Sequence, residues 1–162
     1  FSKTVAPGLR VGWCVLPEPL TAPVVRLKQA ADLHAGALSQ ALVAELVSDV
    51  AWWSGHLAEI RQVYARRAAA LSGALAEVFG ERLVLAAPRG GMFLWGRFTD
   101  GTCTADLLGR ALAEGVAFVP GAEFFTRPVG QAALRLSFAT NPPDRLAEAA
   151  RRLAAAHAHS LP

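Results

Sequence analysis

Apolar residues recur along this chain at two different spacings, and the change from one to the other falls near residue 80. Between residues 56 and 79, Leu57, Ile60, Tyr64, Ala68, Leu71, Leu75 and Val78 return at three- and four-residue steps. On a helical repeat these positions share one face, so the spacing predicts a long amphipathic helix. Gly80 stands where that helix stops, because glycine takes the left-handed conformation of a helix C-terminus at no steric cost. Beyond it the spacing shortens. Leu83-Val84-Leu85 and Met92 to Phe98 read as strands about the turn Pro88-Arg89-Gly90-Gly91, and Val116 to Val119 and Ala133 to Phe138 read as two more. Thr104 is placed to cap a helix over residues 105–114 that Gly115 ends. Pro142-Pro143 precede an amphipathic helix reaching about His157. Strands alternating with helices after residue 80 predict a small α/β unit of its own.

The part before residue 56 is patterned differently. FSKTVAPG reads as a loop, and LRVGWCVL, with Val11, Trp13 and Val15, has the length of a strand that Pro17 and Pro19 close. Residues 20–50 read as a helix in two pieces broken near Gly36, with Leu38, Leu42, Leu46 and Val50 as the apolar face of the second piece. There is no internal repeat and no low-complexity linker.

Composition narrows the class. Hydrophobic residues make up 53% of the 162 residues, which excludes a disordered tail. No apolar stretch reaches the roughly 18 residues that suggest a membrane span, and a cytoplasmic protein is the expectation. The first residue is Phe rather than Met, and no signal-peptide layout follows it. The expectation is that either something upstream was removed or the chain is a fragment. The formal charge of +3 is scattered over Arg66-Arg67, Arg151-Arg152 and single arginines. No basic run is interleaved with aromatics, so nucleic acid is not implied.

Several residues have ordinary structural readings. Cys14 and Cys103 fit neither a metal spacing nor a disulfide framework and are expected to be reduced and packed. His34, His56, His157 and His159 have no carboxylate or cysteine cluster, so no metal is expected. His157 and His159 read as a frayed helix tail. Trp52-Trp53 reads as buried packing at a helix start, with a substrate box as the alternative, and Tyr64 reads as core. Gly90-Gly91 lacks the strand-to-helix context of a phosphate cradle and reads as a tight turn.

The candidate chemistry lies in FSKTVAPGLRVG, where Lys3 is followed by Arg10 and Pro7-Gly8 between them can turn the chain toward one ligand. A lysine amine can bond an aldehyde, and the fork of an arginine suits a phosphate. Taken singly, each residue reads as a surface cation. The segment FSKTVAPGLRVGW resembles the lysine segment of the fold-type I pyridoxal-phosphate (PLP) aminotransferases of class I/II, in the branch of the 2-aminoadipate and aromatic aminotransferases. KQAADLHAGALSQ, PRGGMFLWGRF, FVPGAEFF and ALRLSFA fit the same family in the same order, so the resemblance covers nearly all of the chain. The lysine segment and ALRLSFA are specific; GGMF and PGAEFF are supporting.

The resemblance implies pyridoxal 5'-phosphate as cofactor, with Lys3 as the Schiff-base lysine that later moves the substrate α-proton. It implies that Arg10 binds the cofactor phosphate, with help from Ser2, and that Arg135 grips the substrate α-carboxylate. On pattern alone, Arg135 is equally a strand arginine paired with an acid. The implied fold is α/β, with residues 1–50 ending the large PLP-binding domain and residues 51–162 forming a linking helix and the small C-terminal domain. The implied partners are an amino acid, a 2-oxo acid and a second copy of the chain in a homodimer, with KQAADLHAGALSQ near the interface. No metal, membrane or nucleic acid is expected through this segment. The family's acid for the pyridine nitrogen, its ring-stacking aromatic and its glycine-rich phosphate turn have no counterpart here, so this segment alone is not expected to transaminate. The alternative expectation is the aminotransferase-like effector domain of a PLP-binding transcription regulator; Arg135 and GGMF favour the enzyme.

Overall fold

Prolines and glycines set the element boundaries. In the computed structural model, which describes residues 1–158, the chain divides into two units, the first from Phe1 to Arg61 and the second from Gln62 onward. The first unit opens with a short 3-10 turn at Pro7–Leu9. Helix α1 spans Glu18–Asp32, with proline in its first turn, where a missing N–H costs nothing. Helix α2 spans Ala37–Ser48 after Gly36, so the break near Gly36 is where the sequence places it. Helix α3 is longer than its stripe predicts and runs Val50–Phe79. Asp49 accounts for the earlier start: its carboxylate accepts the Trp52 N–H at 2.9 Å, satisfying one of the free donors of the first turn.

Two expectations for the first unit fail. LRVGWCVL is not a strand, because a strand exists only against a ladder partner and no described residue supplies one. Trp13 and Val15 are exposed and only Val11 is buried. The stripe on α2 is not the buried face either. Leu38, Leu42 and Val50 are exposed, and Val43 is the residue that turns inward. Periodicity identifies a face but not what covers it. Cys14 is exposed rather than packed, and Cys103 is partly exposed. Trp52 likewise remains exposed on one side.

The second unit is a four-stranded antiparallel sheet backed by helices. Strands β1 (Leu83–Leu85), β2 (Phe93–Phe98), β3 (Val119–Pro120) and β4 (Ala133–Ser137) lie in the order β1-β2-β4-β3. β3 is shorter than expected, although Val116 and Phe118 before it still enter the core. Helices α4 (Thr104–Ala113) and α5 (Pro143–Ala158) complete the unit. Alternation sends Leu94 and Phe98 of β2 and Leu134 and Leu136 of β4 into the core, against Leu75, Phe79, Leu107, Ala150 and Leu153 from the helices. The opposite face carries Phe93, Trp95 and Arg135. Gly80 and Gly115 both have positive φ, at 54° and 74°, as their places after α3 and α4 require.

Two polar residues in this unit do something other than expected. Thr104 does not cap α4; it is the first helical residue and is fully buried. Its hydroxyl lies 2.8 Å from the Gln131 carbonyl and 2.7 Å from that of Ala133, so its proton ties α4 to the start of β4. His157 is not part of a frayed tail. It is 1% exposed, stacked on Phe98 at 4.9 Å, and its Nε2 lies 3.0 Å from Asp100 Oδ2. The Thr102 hydroxyl donates to Asp100 Oδ1 at 2.6 Å and accepts from His157 Nε2 at 2.9 Å, so one proton chain satisfies all three groups. Burial alone would raise the Asp100 carboxyl, but the Thr102 bonds and His157 outweigh it and hold the carboxyl below its usual range. His159 lies outside the described residues.

Candidate functional site

In the first unit, a cleft of about 750 Å³ is lined by Ser2, Lys3, Arg10, Trp13 and Trp53 together with Phe1, Thr4, Val11, Gly12 and Val47. Three of the residues singled out in the sequence, Ser2, Lys3 and Arg10, thus share one cavity. No carboxylate of the described residues lines it. Lys3 and Arg10 are exposed, and neither forms a hydrogen bond or ion pair with the described residues. Arg10 also holds a left-handed backbone, φ 54°, at the end of the Pro7–Leu9 turn. A side chain bears that conformation at a cost of about 1–2 kcal/mol, so the turn must be fixed by its surroundings.

The fixing is done by backbone groups. The Phe1 backbone nitrogen donates to the Val11 carbonyl at 2.7 Å, and the Thr4 and Val5 N–H groups donate to the Phe1 carbonyl at 3.2 and 2.8 Å. From α3, His56 Nε2 donates to the Thr4 carbonyl at 2.8 Å, while its ring stacks on Trp52 at 4.9 Å with planes 9° apart. The Phe1 ring meets Trp53 edge-on at 6.2 Å. His56 ties this loop to α3, a role the sequence analysis did not give it. The available signal was its place four residues after Trp52, which on a helix puts the two rings together. Because these bonds use main-chain atoms, the Lys3 and Arg10 side chains stay free for a ligand. The donor set suits a phosphorylated carbonyl compound: a guanidinium fork for the phosphate, a hydroxyl beside it and an amine for the carbonyl carbon.

Arg135 belongs to the second unit. It pairs with Trp95 across β2–β4 and with Val119 across β3–β4, and its neighbours Leu134 and Leu136 are buried on the other face. Its guanidinium carbon stands 4.2 Å from the Phe93 ring centre and 4.7 Å from that of Phe124. It forms no ion pair with the described residues, and its Nε is buried without a partner. Beside it lies a cavity of about 200 Å³ lined by Phe93, Phe118, Val119, Arg135 and Ser137, among others. An arginine with its charge unspent at a cavity wall is equipped to receive a carboxylate.

Comparison with known proteins gives a family match. The model of the family "Aminotransferase class I and II" matches residues 1–153. The chain is 41% identical over 153 residues to 2-aminoadipate transaminase of Thermus thermophilus, covering 94% of this chain and 38% of that enzyme. The fold is similar to the crystal structure of LysN, the α-aminoadipate aminotransferase of Thermus thermophilus, complexed with N-(5'-phosphopyridoxyl)-L-leucine. There the TM-score is 0.91 at 40% identity, over 98% of this chain and 40% of that one. A shorter stretch of 117 residues is 34% identical to YdfD of Bacillus subtilis, an uncharacterized HTH-type transcriptional regulator, covering 72% of this chain and 24% of the regulator. The chain therefore spans about two fifths of the length of the aminotransferases it matches.

Proposed function

Because the chain belongs to the class I and II aminotransferase family, we propose that it is part of a PLP-dependent aminotransferase that moves an amino group between an amino acid and a 2-oxo acid. The observation that carries this reading is the cleft shared by Lys3 and Arg10, where no described residue pairs with either or brings a carboxylate beside them. When bound there, PLP supplies an aldehyde carbon and a ring that stabilises negative charge at the substrate α-carbon. Lys3 would supply the amine that holds the cofactor and then, once released, the base that takes the α-proton and delivers it to the carbon on the far side of the transferred nitrogen. Arg10 anchors the phosphate through its fork, and Ser2 donates a hydrogen bond to the same group. Arg135 orients the substrate by its α-carboxylate. In this reading residues 1–50 end the large PLP-binding domain and residues 51–162 make the linking helix and small domain. The whole protein is then a cytoplasmic homodimer.

The test compares Arg10→Ala with Arg135→Ala in the full-length protein, by PLP absorbance and by kinetics. Arg10→Ala is expected to lose PLP. Arg135→Ala is expected to keep it and to lower kcat/KM for amino acids by about 2–5 kcal/mol, the usual cost of removing one partner of a buried charge pair. Loss of PLP from Arg135→Ala, with normal turnover per bound cofactor, overturns the assignment. The match to YdfD favours a second reading, an effector domain of a regulator. PLP binding by the full-length protein without amino transfer to any 2-oxo acid would decide for it.

A further inference from the structure

We propose that Phe93 and Phe124 are positioning residues that hold the Arg135 guanidinium between their rings and so set its affinity for a carboxylate. The proposal rests on the reading of Arg135 as the carboxylate-binding residue. Three short stretches, GGMF, PGAEFF and ALRLSFA, each contribute one member of this cluster. Phe93 is paired with Ser137, two positions along the ladder from the Trp95–Arg135 pair, so all four lie on the same sheet face. Phe124 ends the 3-10 turn Gly121–Phe124 that follows β3.

That turn is pressed directly onto β4. A Cβ at Gly121 would lie 2.4 Å from Ala133 Cβ and 2.6 Å from the Ala133 carbonyl oxygen, so only glycine permits the approach. Backbone packing therefore fixes where Phe124 stands. Trp95 supports it from the side, ring edge to face at 5.3 Å. Yet Phe93 and Phe124 remain 41% and 44% exposed, large apolar surfaces left in water around one cation.

The arrangement has a chemical consequence. The contacts place the guanidinium carbon over both rings, and an aromatic face attracts a cation without accepting a proton from it. The rings therefore hold the group without neutralising its charge, as an acidic partner would. With Nε buried and unpartnered, the Nη nitrogens are the ones left to meet a ligand. An arginine so held binds the carboxylates of an amino acid and of an oxo acid alike, so the clamp acts on substrate affinity and not on the chemical step.

The experiment uses the full-length PLP-loaded protein and the variants Phe124→Leu, Phe124→Tyr, Phe93→Leu and Arg135→Ala. It measures KM and kcat, and the dissociation constant of propionate, an unreactive carboxylate, from its perturbation of the cofactor absorbance. Phe124→Leu and Phe93→Leu should each raise both KM values and weaken propionate together by about 2- to 30-fold, the range of one cation–π contact. kcat and PLP content should not change. Phe124→Tyr, which keeps the ring, should restore values close to the parent. If Arg135→Ala weakens propionate while the leucine variants do not, or if tyrosine fails to rescue, the clamp is overturned and the carboxylate reading stands. If Arg135→Ala leaves propionate unchanged, that reading falls and takes the clamp with it.

Discussion

Phe98, Phe138, Leu75, Leu94, Leu107, Leu134 and Leu153 are fully buried, and all of them lie in the unit from Gln62 onward. In the unit of residues 1–61, the buried hydrophobics are Val11 and Val43, while Trp13, Val15, Leu27, Leu38 and Val50 are exposed. The cations proposed for the site are accordingly held by different means in the two units. Arg135 stands on a strand whose reverse face is core, so side-chain packing fixes its place. Lys3 and Arg10 stand on a loop tied by main-chain hydrogen bonds and by His56. A site held by packing responds to the loss of methyl groups far behind it; a site held by backbone bonds responds to the loss of a single donor.

The comparison is sharpened first at Lys3, the amine proposed to react. Lys3→Ala should lower turnover at least about a thousandfold in the full-length protein, since it removes both the tether and the base. Without PLP, its urea unfolding midpoint should stay near that of the parent, because the Lys3 side chain is exposed and makes no bond to the described residues. A large fall in the midpoint would show that Lys3 carries structure.

Next comes the packing behind Arg135. Leu134→Ala opens a cavity under the sheet and should cost about 2–5 kcal/mol in denaturant unfolding, the usual range for a buried leucine. A cost within about 0.5 kcal/mol, as at an exposed surface position, would show that packing behind the sheet does not hold Arg135 in place.

The second unit offers a titratable check as well. The depressed Asp100 carboxyl stabilises the fold while it is ionised. Its folded value lies below the unfolded one of about 3.9, so the contribution is present above that pH and is lost as pH falls through the folded value. Asp100→Asn should therefore flatten the acid limb of the unfolding midpoint against pH. An unaltered acid limb would remove Asp100 from the account.

Much of this contrast was legible in the sequence for a physical reason. In the second unit, the Leu71 and Leu75 stripe, the alternation about Arg135 and the stop at Gly80 mark buried faces, because the elements that cover them belong to the same unit. In the first unit, the helix break near Gly36 was equally readable, since it depends on local backbone preference. The face of α2 and the supposed strand at Val11 to Val15 were not, because burial and pairing depend on partners that local spacing does not reveal. Lys3, Ser2 and Arg10 were legible as a motif, whereas the loop bond from His56 joins positions 52 residues apart. Thr104 and His157 misled because capping and fraying are local readings. Both side chains instead reach groups distant in sequence, the Gln131 and Ala133 carbonyls and the Asp100–Thr102 pair. The Phe93–Arg135–Phe124 cluster could be read only as three separate motifs until the sheet register joined them.

The central claim is that Lys3 is the residue that holds the cofactor. Borohydride reduction of the full-length PLP-loaded protein, followed by peptide mapping, tests it most directly. The account predicts a pyridoxyl label on Lys3 within the segment FSKTVAPGLR, and its absence from Lys28. A label on Lys28, or on no lysine of this chain, would contradict it.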